Sequence, residues 1–180
     1  MNLLCIGLVN WCKRNGAVSE EDYPIVLYGI QVFLNTSLKV LGILLAGALL
    51  HHLTATLISL AVFCSMRYWT GGWHSKSHLG CFFIMLITCV SPALLMTLDG
   101  EWIPWTLGCM LLYSAYKVLR YAPCNSRVNP IVDLDTLSTK RIGSVIELIA
   151  LGITVAFASN SGLKLLILVP LFADAVLLKN

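Results

Sequence analysis

A chain of 180 residues that is 58% hydrophobic and only 12% charged is not an ordinary water-soluble domain, in which roughly a quarter of the residues carry charge. Its apolar residues fall in blocks near the ~20 residues that a helix needs to cross a bilayer, so the composition predicts an all-α integral membrane protein with no separate soluble domain. The net charge of +3 comes without a phosphate-cradling glycine loop or interleaved basic and aromatic residues, which leaves no case for nucleic acid, and seven cysteines are an odd number for a fully paired disulfide framework.

Residues 1–16, "MNLLCIGLVNWCKRNG", have an apolar front and a basic end. They are too short to span and lack a small-residue cleavage site, so an N-terminal amphipathic interfacial helix is expected rather than a signal peptide. A loose N-terminus is the plain alternative. A transmembrane bundle is then expected over residues 24–178, giving one polytopic domain over 1–180 with about six transmembrane helices. The apolar runs are 24–50, 53–66, 79–98, 103–119, 142–158 and 162–178, and Tyr68 and Trp69 extend the second at the interface. Gln31, Asn35 and Lys39 interrupt the first run. Gln31 and Asn35 share a helix face, and a polar amide in a span is costly unless bonded. Glu147 and Asp174 lie in the last two runs and could form a proton or ion route, or pair with basic ends. Pro92, Pro104 and Pro170 would kink helices or sit near their ends.

Charge orients the bundle. Lys13, Arg14, Arg67, Lys76, Lys117, Arg120, Arg127, Lys140, Arg141 and Lys179 fall on one side, whereas Lys164 is the lone basic residue in the opposite loops. Short-loop Lys and Arg favour the cytoplasm. Both termini and the loop at 67–78 are therefore expected on the cytoplasmic side of a multi-pass cell-membrane protein.

That loop begins "RYWTGGWHSKSHLGCFF", residues 67–83, and sets a histidine and a cysteine at a loop–helix junction. A cysteine is a strong nucleophile as a thiolate, which a nearby histidine or a helix N-terminus stabilises. His74 and Cys81 are seven positions apart, about 10 Å along one straight helix, so they meet only if the loop folds back over the helix start. Gly71 and Gly72 give the backbone freedom for that return. Two plainer readings stand beside the nucleophilic pair. Cys81 could be one more buried thiol next to Cys89, with His74 and His78 as interfacial residues. His74, His78 and Cys81 could also bind zinc tetrahedrally. Arg67 could grip a substrate carboxylate, orient the loop, or mark the end of its helix. Gln31 could support the histidine or donate to an oxyanion. The turn-rich segment "YAPCNSRVNPIVDLD" lies on the same predicted face and offers either a peptide-docking surface or a connector. At the level of function, a cysteine endopeptidase, a small peptide exporter using Gln31, Lys39 and Glu147, and a zinc-binding membrane sensor all stay open.

The stretch 67–81 resembles the motif of the accessory gene regulator B family, bacterial membrane endopeptidases that process a quorum-sensing peptide precursor. Arg67, Gly72, His74 and Cys81 stand at that motif's spacing, and Gln31 falls where the family carries a functionally implicated glutamine. Tyr121, Ala122 and Pro123, followed by Asn129 and Pro130, resemble its segment after the fourth span; Cys124 and Asn125 replace polar or acidic residues found in many relatives. The resemblance implies that His74 and Cys81 are catalytic and that Arg67, Gln31 and Gly72 support them or the substrate. It also implies that Tyr121, Pro123, Asn129 and Pro130 help to dock substrate, and that no cofactor or metal takes part. The implied partners are a short AgrD-like propeptide, the lipid bilayer and a second copy in a homodimer. The implied reaction removes the propeptide's C-terminal tail through a Cys81 thioester, which an internal cysteine or serine then closes to a thiolactone or lactone.

Overall fold

The computed structural model describes residues 2–72, 78–96, 103–124 and 133–178, with backbone alone at Asn2 and His78. The described residues form seven helices: α1 (Asn2–Arg14), α2 (Tyr23–Leu49), α3 (Leu53–Thr70), α4 (His78–Leu95), α5 (Ile103–Tyr121), α6 (Leu134–Phe157) and α7 (Ser161–Leu177). The fold is all-α, and each of the six apolar runs falls on one of the helices α2–α7. Within segment 1–16, Asn2–Arg14 form the helix α1.

Boundaries differ where a helix outruns its apolar stretch. α6 begins at Leu134 rather than 142 because Asp133 caps it, accepting from the Thr136 amide at 3.1 Å and the Thr136 hydroxyl at 3.0 Å. Such a cap satisfies N–H groups that the first turn leaves open, and the polar turns after it add helix that hydropathy does not register. α3 runs on through Thr70, which places Arg67 in its last turn rather than beyond it.

Residues 1–42 make one compact unit and residues 43–180 another. In the first, the Tyr23 hydroxyl donates to Asn10 Oδ1 at 3.2 Å and Lys13 pairs with Glu20 at 2.5 Å, fastening the start of α2 to α1. α2 is the one helix among the described residues that is both long and apolar enough to cross a membrane by length and composition, with 27 residues and a mean hydropathy of 1.8. Its length, about 40 Å, exceeds the ~30 Å hydrocarbon core of a bilayer.

The second unit is built on α7, which packs against α3, α4, α5 and α6, while α3 also packs on α4 and α6. Met66, Val118, Leu168, Leu171 and Leu178 are fully buried there. Two details hold α3 in place. Pro170 inside α7 lacks an amide N–H, which strands the Leu166 carbonyl one turn back. The Ser59 hydroxyl of α3 donates to that carbonyl at 3.1 Å. The Trp69 ring also lies where a side chain on Gly143 of α6 would be.

The exterior is apolar where a soluble bundle would be polar. Ile142, Ile146, Ile149, Ile153 and Phe157 form an exposed stripe at helical spacing along α6. In water that face would carry charge.

Candidate active site

The motif at 67–83 is divided between the end of α3, a two-glycine turn and the start of α4. α3 delivers Arg67 and Thr70 one turn apart, both facing α7. Arg67 Nη1 lies 3.3 Å from Oδ1 of Asp174, and the Thr70 hydroxyl lies 2.7 Å from Oδ2 of the same carboxylate. The Asp174 side chain is completely buried and that of Arg67 is 15% exposed. A carboxylate in an apolar helix is retained when its oxygens are occupied in this way.

The chain then turns through Gly71 and Gly72, at φ 67° and 107°. Both values lie in the left-handed region where a side chain is strained, and there is also no room for one. A Cβ on Gly71 would be 2.7 Å from the Cys124 carbonyl oxygen. On Gly72 it would be 2.5 Å from Arg67 Nη1 and 3.2 Å from the Leu177 carbonyl oxygen. The glycine pair thus lets the turn backbone sit directly on the Arg67 guanidinium and on the last turn of α7.

The segment after α5 closes this end of the bundle. The Cys124 amide donates to the Thr70 carbonyl at 2.8 Å, and Gly71 and Cys124 form a parallel bridge. The Lys117 ammonium donates to the Leu178 carbonyl at 2.8 Å and sits 4.5 Å from the centre of the Tyr121 ring, with the Arg120 guanidinium 5.9 Å from it. Tyr121 ends α5. Pro123, half-buried, follows the cis Ala122–Pro123 peptide. Docking candidates Tyr121 and Pro123 therefore stand next to the turn at Gly71.

Cys81 is the fourth residue of α4 and half-buried, with its thiol free. Cys81 thus lies in the first turn of α4, at the end of the helix where the dipole favours a thiolate. Gln31 is half-buried on α2, within the unit of residues 1–42. His74, Asn129 and Pro130 lie outside the described residues, as does the side chain of His78, and with them the zinc alternative. Among the described residues no three of His, Cys, Asp and Glu gather as a metal site.

The structure thus brings Arg67, Gly72, Tyr121 and Pro123 to one end of the second unit and adds Asp174 and Thr70, which were not singled out as site residues. The signal for Asp174 was in the sequence: an acid inside an apolar run has to find a partner, and Arg67 sits at the same expected membrane face. For Thr70 there was none, because a threonine at a helix end is commonplace.

An all-helical chain with an apolar exterior, carrying an Arg–Gly–Gly turn that leads to a helix-start cysteine, defines a membrane protein with one built end. The chain belongs to the accessory gene regulator B family, AgrB, whose family model matches residues 6–178. This is a family of membrane proteins associated with peptide processing in agr quorum sensing, acting with an AgrD-type propeptide. Comparisons with curated proteins and with solved structures gave no match.

Proposed function

We propose that the chain is a cysteine endopeptidase that cuts the C-terminal tail from a small amphipathic propeptide at the cytoplasmic face of the cell membrane. The observation that carries this reading is the packed turn from Arg67 to Gly72, which leads through His74 to the half-buried thiol of Cys81 near the N-terminus of α4. The family match supports it, since every residue of that stretch lies inside the matched range.

In this mechanism His74 takes the Cys81 thiol proton and the thiolate attacks the scissile carbonyl carbon. The oxyanion forms beside the first turn of α4, whose dipole favours it, and preorganised dipoles aimed at such a charge are commonly the largest catalytic term. Collapse breaks the C–N bond, and the imidazolium gives its proton to the departing amine. A thioester on Cys81 remains. An internal cysteine or serine of the propeptide attacks it, passes its proton through His74, and releases the ring and the free Cys81 thiol. Exclusion of water preserves the thioester for ring closure. Arg67 and Gly72 shape the loop, Gln31 is kept as a supporting residue on the family resemblance alone, and Tyr121, Pro123, Asn129 and Pro130 receive the propeptide. Six crossings by α2–α7, α1 lying in the interface, and a homodimer complete the proposed arrangement. The exposed isoleucine stripe of α6 supports the lipid contact.

The test is co-expression of the parent and Cys81→Ala with the propeptide encoded beside it, followed by intact-mass measurement. Tail loss with the parent, none with the variant, and an acyl adduct on parental Cys81 are expected. Undiminished cleavage by Cys81→Ala would sink the nucleophile and favour a transport role.

A further inference from the structure

The mechanism above gives no task to Asp174 or Thr70, yet both are fully buried polar side chains at the site's edge. We propose that Asp174 is a positioning residue for the catalytic loop: with Thr70 it holds the Arg67 guanidinium against Gly72 and so sets where the loop toward His74 begins. This deepens the cysteine-endopeptidase reading and rests on it.

The geometry gives each carboxylate oxygen one donor, and both donors come from the last turn of α3. Arg67 reaches Oδ1 at 3.3 Å and Thr70 reaches Oδ2 at 2.7 Å. Two such contacts fix the carboxylate's plane, and through it the direction of the guanidinium. The guanidinium is in turn the surface on which Gly72 rests, because a Cβ there would be 2.5 Å from Nη1. The same Cβ position would be 3.2 Å from the Leu177 carbonyl, one turn beyond Asp174 on the same helix. α7 therefore bounds the space beside Gly72 twice, directly and through Arg67. Lys117 of α5 anchors that end of α7 by its bond to the Leu178 carbonyl, so the slot cannot drift with α7. Loss of the Asp174 carboxylate removes one hold on the guanidinium, and its position against Gly72 is less fixed. A shift of about 1 Å in a positioned group can cost on the order of a hundredfold in rate.

A pair that served only to hold α3 to α7 would cost stability when broken and leave the chemistry of Cys81 alone. The two roles separate through the dependence of Cys81 reactivity on His74. The full-length chain in lipid nanodiscs is treated with iodoacetamide at neutral pH, and the alkylation rate of Cys81 is followed by peptide mapping for the parent, His74→Ala, Asp174→Asn and the double variant. Removal of His74 from the parent should slow alkylation by about a hundredfold or more, the ~100- to 10,000-fold range that a positioned base supplies. In the Asp174→Asn background the same removal should change little, and Asp174→Glu should restore part of the difference. Thr70→Val, which removes the hydroxyl that lies 2.7 Å from Oδ2 and 2.9 Å from the Met66 carbonyl of its own helix, should move the ratio in the same direction by less, and it keeps the question answerable if Asp174→Asn fails to fold. An unchanged His74 effect in Asp174→Asn and Thr70→Val, beside a lowered unfolding temperature, would overturn the positioning role while leaving the dyad standing. No His74 effect in the parent would overturn the dyad and this proposal together.

Discussion

Gly72 shows how much one missing side chain can do. Its φ of 107° strains any side chain, and a Cβ there would press on the Arg67 guanidinium and the Leu177 carbonyl. Gly72→Ala is expected to cost about 1–3 kcal/mol, the range for a residue held in a strained backbone region, and to displace Arg67 from Asp174. The measurement is propeptide cleavage together with thermal unfolding in detergent. Gly7→Ala serves as the comparison, since α1 leaves open space around that position. Equal behaviour of the two variants would show that the Gly72 slot is dispensable. The need for glycine here was legible in the sequence only as freedom to turn; that Arg67 and the end of α7 occupy the space was not, because the end of α7 comes from more than a hundred positions along the chain and directs Arg67 there.

Among the elements, the contact of α3 with α7 turns on a proline that would otherwise be a defect. Pro170 strands the Leu166 carbonyl, and Ser59 supplies the missing proton donor at 3.1 Å. Ser59→Ala should lower stability by about 0.6–1.7 kcal/mol, the scale of hydrogen bonds between helices in membrane proteins. The amide that Pro170→Ala restores can bond Leu166 itself, so Ser59→Ala should cost much less in that background. A double-mutant cycle on unfolding in detergent micelles measures the difference. Additive effects would mean that the hydroxyl bond contributes nothing to the α3–α7 contact. The proline was visible in the sequence as a kink or a helix end, whereas its partner, 111 positions earlier in the chain, was not.

For the whole molecule, the arrangement of basic residues predicts a topology that chemical labelling can read. In a cysteine-free variant, a single cysteine at His51→Cys or Ser161→Cys should react with a membrane-impermeant maleimide on intact cells. One at Ser19→Cys or Lys140→Cys should react only after permeabilisation. Labelling of residue 19 or 140 on intact cells would reverse the orientation and move Cys81 away from the cytoplasm. The apolar stripe of α6 and the 27-residue α2 both suit a lipid solvent. Loops weighted with Lys and Arg then decide which face is which.

By itself the sequence determined the helical class, the position of each helix and the family, since apolar runs of bilayer length admit little but helices and the stretch 67–81 is specific in both residues and spacing. It also carried every residue of the proposed dyad and its supports. Only the tertiary structure decided what Arg67 does inside the protein. Hydropathy treats Asp174 as an interruption and Thr70 as a helix end. Packing of α7 against α3 converts them into the two contacts that direct a guanidinium onto a glycine turn. Pairings across more than a hundred residues depend on which helix faces meet, and local periodicity shows that a face exists without naming its partner.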